Sequence, residues 1–90
     1  VCIKIIEEKG SYVFAFKHNS SENITVEKGS ISVNGVSLTV VNSKDVEFSV
    51  VIIPYTFQHT NFKHLKIGDI VNIEFDILGK YVSKMFFRDL

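Results

Sequence analysis

Asn34-Gly35 stands between two apolar runs, Ile31-Ser32-Val33 ahead of it and residues 36–42 behind. A two-residue hairpin turn needs positive φ at both central positions, which Gly adopts freely and Asn tolerates. The middle of the chain is thereby committed to antiparallel strands, and the flanks repeat the arrangement. Residues 2–6 and 12–17 are apolar runs separated by Glu7-Glu8-Lys9-Gly10-Ser11, a second hairpin turn. In the later run Tyr12, Phe14 and Phe16 alternate with Val13, Ala15 and Lys17, an aromatic face of period two. Residues 43–46 turn the chain into a strand over 48–53, which Pro54 ends because it has no N–H for a ladder. Lys66-Ile67-Gly68-Asp69 is a further turn before a sixth strand over 70–75. There Val71, Ile73 and Phe75 take one face and Ile70, Asn72 and Glu74 the other.

Composition supports strands throughout. Val, Ile and Thr make 27 of the 90 residues, and Ala occurs once, at Ala15. β-Branched side chains lose χ1 freedom in a helix and suit a pleated surface. The period changes only at the end, where Ile77/Leu78, Tyr81/Val82 and Met85/Phe86 recur at every fourth residue. That stripe predicts an amphipathic helix over about 77–88, with Lys80, Lys84 and Arg88 on another face. Asn19 with Glu22 resembles a capping box and predicts one helical turn within 18–23. Ninety residues suit one core. The expected fold is all-β: a small six-stranded antiparallel Greek-key barrel with a C-terminal helix.

Lys+Arg and Asp+Glu number 10 each, a formal net charge of +0, so the chain lacks the basic character of nucleic-acid and anionic-membrane binders. A single cysteine, Cys2, excludes an intrachain disulfide framework and a Cys-rich zinc site, and fits a reducing compartment. No apolar run approaches the roughly 18–20 residues of a membrane span, and no signal-peptide pattern opens the chain. A soluble, cytoplasmic protein is expected, with no membrane and no nucleic-acid partner.

Gly35-Val36-Ser37-Leu38-Thr39 has the outline of a nucleophile elbow, but Thr39 replaces the final glycine and the segment continues as strand. It offers instead two hydroxyls, Ser37 and Thr39, on the side of the strand away from Val36, Leu38 and Val40. Such a face either meets solvent or holds a ligand. His18, His59 and His64 lack the paired spacing of a metal site and read as surface histidines, the last two in an irregular segment over 58–65. No metal is expected. Asp76, between the last strand and the helix, reads as a helix N-cap. Gly29, following Lys28, allows close approach of a backbone or a ligand.

The stretch Lys28-Gly29-Ser30-Ile31-Ser32-Val33-Asn34-Gly35-Val36-Ser37-Leu38-Thr39-Val40 resembles the lumazine-binding barrel of the riboflavin synthase family. Ile53-Pro54-Tyr55-Thr56, His59-Thr60-Asn61-Phe62, Lys66-Ile67-Gly68-Asp69-Ile70-Val71-Asn72-Ile73-Glu74 and the segment from Asp76 to Lys80 follow in the family's order. Ser37 where the family's first barrel usually has Cys, the Ile53-Pro54 pair, and the helix after Asp76 resemble the second of its two tandem barrels. The resemblance implies that residues 1–90 are a single lumazine-binding barrel, with strands about 2–75 and a helix about 77–88. It implies a C-terminal fragment of a two-barrel chain, without the Gly-His-Val-Asp-like segment that opens this barrel in relatives.

By the same resemblance the activity is that of a riboflavin synthase, a transferase needing no cofactor. Two molecules of 6,7-dimethyl-8-ribityllumazine dismutate by transfer of a four-carbon unit, giving riboflavin and a pyrimidinedione. The full-length enzyme would be a homotrimer, with each active site between barrels of neighbouring subunits. Carried over by position, Lys28, Gly29, Ser37, Thr39, Ile53 and Thr56 bind substrate, and Ser37 and Asp76 are catalytic. The backbone of Gly29 and Ile53 would bond the ring edge, with Ile53 also packing on the ring's flat surface. Thr56 would reach the ribityl chain, and Asp76 would accept near Ser37 and polarise its hydroxyl. The fragment alone is expected to fold and bind weakly, with negligible synthase activity. The alternative is a non-catalytic lumazine- or flavin-binding protein of the same fold. An oligosaccharide- or nucleic-acid-binding barrel fits zero net charge and the absence of Trp poorly.

Overall fold

Pairs of residues with positive φ make both tight hairpins. Lys9 (φ 51°) and Gly10 (φ 85°) join Cys2–Glu8 (β1) to Ser11–Lys17 (β2). Asn34 (φ 50°) and Gly35 (φ 83°) join Ser30–Val33 (β3) to Val36–Val41 (β4). Two successive positive φ values give a turn whose twist matches that of the paired strands. The computed structural model describes residues 1–19, 25 and 27–75. Within them Glu47–Ile52 (β5) and Ile73–Phe75 (β6) complete a six-stranded sheet in the order β1-β2-β5-β4-β3-β6. Every pairing is antiparallel. β3, β4 and β5 are consecutive neighbours and β6 returns to lie beside β3, which is the Greek-key connection.

The sheet curls into a small all-β, barrel-like fold that strand hydrogen bonds do not close among the described residues. Its edges are drawn together at the start of β1. Cys2 N–H donates to the Asp69 carbonyl at 2.9 Å, and Gly68 N–H donates to the Cys2 carbonyl at 2.7 Å. Alternation then fills the interior. Phe14 and Phe16 of β2, Phe48, Val50 and Ile52 of β5, Ile31 and Val33 of β3, and Val40 of β4 are buried. The period-two aromatic face of β2 is thus the centre of the core. Phe14 meets Phe62 edge-on at 5.1 Å and stacks alongside Phe16 at 6.4 Å. Cys2 is buried in the same cluster, and desolvation pushes its thiol pKa up, so it acts as a small apolar residue rather than a nucleophile.

Two elements depart from the sequence reading. Residues 54–57, for which no element is expected, and the irregular segment over 58–65 hold a helix, Pro54–His59 (α1), and a 3-10 helix, Asn61–His64. Six residues are too few to show a 3.6-residue apolar period, and Thr56 and Phe57 are poor helix formers. The helix is held from outside: Phe57 stacks on Tyr12 with ring centroids 3.8 Å apart. Thr60 then joins the two helices, its hydroxyl donating to the Thr56 carbonyl at 2.7 Å and accepting from Phe62 N–H at 3.3 Å.

The sixth strand is also shorter than the expected 70–75, beginning at Ile73 and leaving Ile70 85% exposed. A reciprocal pair sets its start. Asn34 N–H donates to the Asn72 carbonyl at 2.8 Å, and Asn72 N–H donates to Asn34 Oδ1 at 2.9 Å. Pairing with β3 therefore opens at Val33↔Ile73, and residues 70–71 precede it. The two faces are as the alternation predicts: Ile73 and Phe75 are half-buried, Asn72 and Glu74 exposed. The C-terminal helix expected over 77–88 lies outside the described residues, as does most of the turn expected over 18–23. No helix among the described residues is long and apolar enough to cross a membrane.

Candidate functional site

The Asn34-Gly35 turn fixes which side chains meet across β3 and β4. Ser32 pairs with Ser37 and Ser30 with Thr39. Ser37 and Thr39 are exposed, whereas Val40 is buried and Val36 and Leu38 are half-buried. The two hydroxyls thus share the outer face, as their spacing predicts, and the cross-strand register adds Ser30 and Ser32. Glu74 of β6 lies across from Ser32 and extends the polar row. Sequence reasoning passed over Ser30, Ser32 and Glu74. For the two serines the signal was present: a two-residue loop makes 33 face 36, and 32 then faces 37.

β5 supplies the apolar side of this face. Val40 pairs with Val50 and Val41 with Ser49. β4 and β5 pair only at these two positions, and because they run antiparallel the start of β4, with Ser37 and Thr39, lies toward the end of β5, where Val51 and Ile53 are uncovered, at 45% and 57% exposure. Hydroxyls therefore lie beside aliphatic surface, an arrangement suited to a flat, partly polar ligand. Ile53 is also the residue from which α1 starts, and its carbonyl accepts from Phe57 N–H at 3.0 Å. The Gly29 carbonyl likewise accepts from Val40 N–H at 2.8 Å. Each carbonyl is thus engaged within the chain, which leaves the N–H groups, unbonded among the described residues, as the donors available to a ring edge.

Lys28 has φ 65°, so the left-handed residue here is the lysine and not Gly29. Its N–H donates to the Val40 carbonyl at 2.8 Å, so Lys28 and Gly29 together oppose Val40, the count of a β-bulge. A left-handed conformation costs a side-chain-bearing residue roughly 1–2 kcal/mol, which glycine does not incur. Lys28→Gly should therefore raise stability by about 1 kcal/mol, read as a higher urea midpoint, while Lys28→Ala should not. A drop in midpoint for Lys28→Gly would show that the lysine side chain holds the bulge. Thr56 is half-buried in the first turn of α1, and Asp76 lies outside the described residues.

A concavity lies elsewhere on the molecule. A groove of about 560 Å³ lies against the outer side of β1, β2 and β5, with Ala15 and Ser49 paired beneath it and Lys4, Asn42 and Lys44 among its walls. Glu27 also lines it, but its carboxylate is engaged by Asn42 N–H at 3.0 Å and Ser43 N–H at 2.8 Å. None of the residues singled out from the sequence lines this groove. Two small side chains facing each other make it a depression, whereas the hydroxyl face carries the convergent polar groups, and we place the candidate site there. Of the histidines, His59 and His64 are exposed as expected. His18 is not a surface residue: it is half-buried, its ring edge-on to Phe75 at 5.1 Å.

A family model described as Lumazine binding domain matches residues 1–76. The chain belongs to the lumazine binding domain family. The matched stretch includes every candidate residue, from Lys28 to Asp76. Curated relatives of this lumazine binding domain are riboflavin synthases of bacteria and fungi. That of Actinobacillus pleuropneumoniae is 51% identical over 63 residues, covering 70% of this chain and 29% of the relative. That of Bacillus amyloliquefaciens is 39% identical over 85 residues, covering 92% and 40%. That of Schizosaccharomyces pombe is 40% identical over 60 residues, covering 67% and 29%. The chain thus spans between 29% and 40% of the length of these three relatives.

Proposed function

We propose that this chain is the second, C-terminal barrel of a riboflavin synthase and that it holds one molecule of 6,7-dimethyl-8-ribityllumazine on the hydroxyl face. The observation that carries this reading is the pair of exposed hydroxyls, Ser37 and Thr39, on β4 within the family-matched stretch, toward the end of the β4–β5 pair where Ile53 is uncovered. An uncharged heterocycle with a polyol tail calls for hydroxyls, backbone donors and an apolar surface, and no net charge. Ser37 and Thr39 present hydroxyls to the ring, the N–H groups of Gly29 and Ile53 meet its edge, and the Ile53 side chain packs on its flat surface. Lys28 and Thr56 reach the periphery, Thr56 toward the ribityl chain. Asp76 accepts near Ser37 and polarises it.

The reaction makes modest demands on acid–base chemistry. The 7-methyl group of the lumazine is acidic because its carbanion delocalises into the ring, so no strong protein base is required. The protein supplies orientation of two bound molecules, worth roughly 7–11 kcal/mol, and hydrogen bonds to the developing anion. One lumazine gives a four-carbon unit to the other, leaving riboflavin and a pyrimidinedione. A second barrel, in a trimer of the longer protein, holds the second lumazine, and the cytoplasm supplies the substrate.

Titrating the chain with 6,7-dimethyl-8-ribityllumazine tests the binding half of this reading. A saturable change in lumazine fluorescence is expected, with weak affinity and no riboflavin formed. Absence of any change up to millimolar protein would remove the proposal, and steady riboflavin production by the chain alone would remove the half-site. In the longer protein, two lumazines should disappear for each riboflavin. Binding there without turnover would favour a non-catalytic flavin- or lumazine-binding protein.

A further inference from the structure

We propose that Tyr55, braced by His59, supplies the aromatic contact for the flat heterocycle bound beside Ile53, an inference that rests on the lumazine reading above. Among the described Phe and Tyr residues, Tyr55 alone is exposed, with 71% of its surface open. Its ring stands 4.2 Å from the His59 imidazole, one helical turn further on. Phe57 lies roughly 200° round the helix from Tyr55 and stacks on Tyr12 at 3.8 Å. That stack sets the roll of α1 and turns Tyr55 and His59 away from the core. The imidazole, the aromatic neighbour of Tyr55 among the described residues, then limits the orientations of its ring.

The placement relative to the site follows from the chain. α1 begins where β5 ends, and the antiparallel pairing of β5 with β4 puts that end toward the start of β4, where Ser37 lies. Tyr55 is two residues beyond Ile53 and one before Thr56, so hydroxyls, an aliphatic side chain and an aromatic ring are gathered at one end of the β4–β5 pair. A conjugated bicyclic ligand has two flat faces. Ile53 covers part of one, and an aromatic partner adds offset stacking that a polyol or a sugar ring would not receive.

Binding of 6,7-dimethyl-8-ribityllumazine to the parent chain, Tyr55→Phe, Tyr55→Ala and His59→Ala tests this. Tyr55→Phe should keep the parent affinity, Tyr55→Ala should weaken it roughly three- to tenfold, and His59→Ala should fall between. Because Tyr55 is exposed, urea midpoints should not move. The chain has no Trp and three Tyr residues, so lumazine should quench tyrosine emission in the parent, and that quenching should shrink in Tyr55→Phe although affinity is kept. Tyr55→Ala binding as tightly as a parent that does bind overturns the role of Tyr55 and leaves the lumazine reading standing. A parent that binds no lumazine overturns both.

Discussion

Replacing Phe14 with alanine should remove roughly 3–5 kcal/mol of stability, the range for deleting a buried aromatic ring. Phe14 is 1% exposed and its ring lies within 5.1 to 6.5 Å of four others, Tyr12, Phe16, Phe57 and Phe62. Domains of ordinary size have only about 5–15 kcal/mol in total, so the variant should be marginally folded or unfolded at 25 °C. Urea denaturation followed by circular dichroism measures the shift. The loss should reach beyond the strand, because Phe57 and Phe62 carry α1 and the 3-10 helix onto the core through this ring. A midpoint shift worth less than about 1 kcal/mol would mean that the aromatic cluster collapses without penalty.

Ser37→Ala should have the opposite profile. Its side chain is exposed on the outer face, so the urea midpoint should stay within about 0.5 kcal/mol of the parent. In the longer protein that carries both barrels, the same substitution should lower kcat by about 10²- to 10³-fold, the usual effect of losing a donor to a developing anion. KM should change far less, because the hydroxyl acts more strongly on the charge formed in the reaction than on the resting substrate. Thr39→Val, one strand repeat away on the same face, should raise KM more than it lowers kcat. A Ser37→Ala enzyme with kcat within threefold of its parent would take Ser37 out of the chemistry.

Much of this was readable along the chain. Asn34-Gly35 sets the register of β3 and β4, and through it the pairing of Ser32 with Ser37 and of Ser30 with Thr39. Tyr12, Phe14 and Phe16 point the same way because a pleated strand has period two, and the last two of them are buried. The hydroxyl face was therefore visible before any tertiary contact was known. The backbone at residue 28 was not readable: Gly29 suggested only a close approach, whereas Lys28 takes the left-handed conformation. The reason is that the bulge is defined by Val40, twelve residues on, whose N–H and carbonyl select which of the two neighbours is left-handed.

Local chemistry by itself determined the turns, the alternation and the side of β4 on which hydroxyls lie, since each depends only on residues within a few positions of one another. Tertiary structure decided the rest. α1 exists where Phe57 finds Tyr12, 45 residues earlier in the chain. β6 starts where Asn72 meets Asn34, a separation of 38. The end of β5, with Ile53 and Tyr55 just beyond it, lies toward the Ser37 end of β4 only because the two strands are antiparallel neighbours in the sheet. Contacts across such spans are selected by burial and by satisfaction of backbone hydrogen bonds, and no window of sequence short enough to show a period contains both partners.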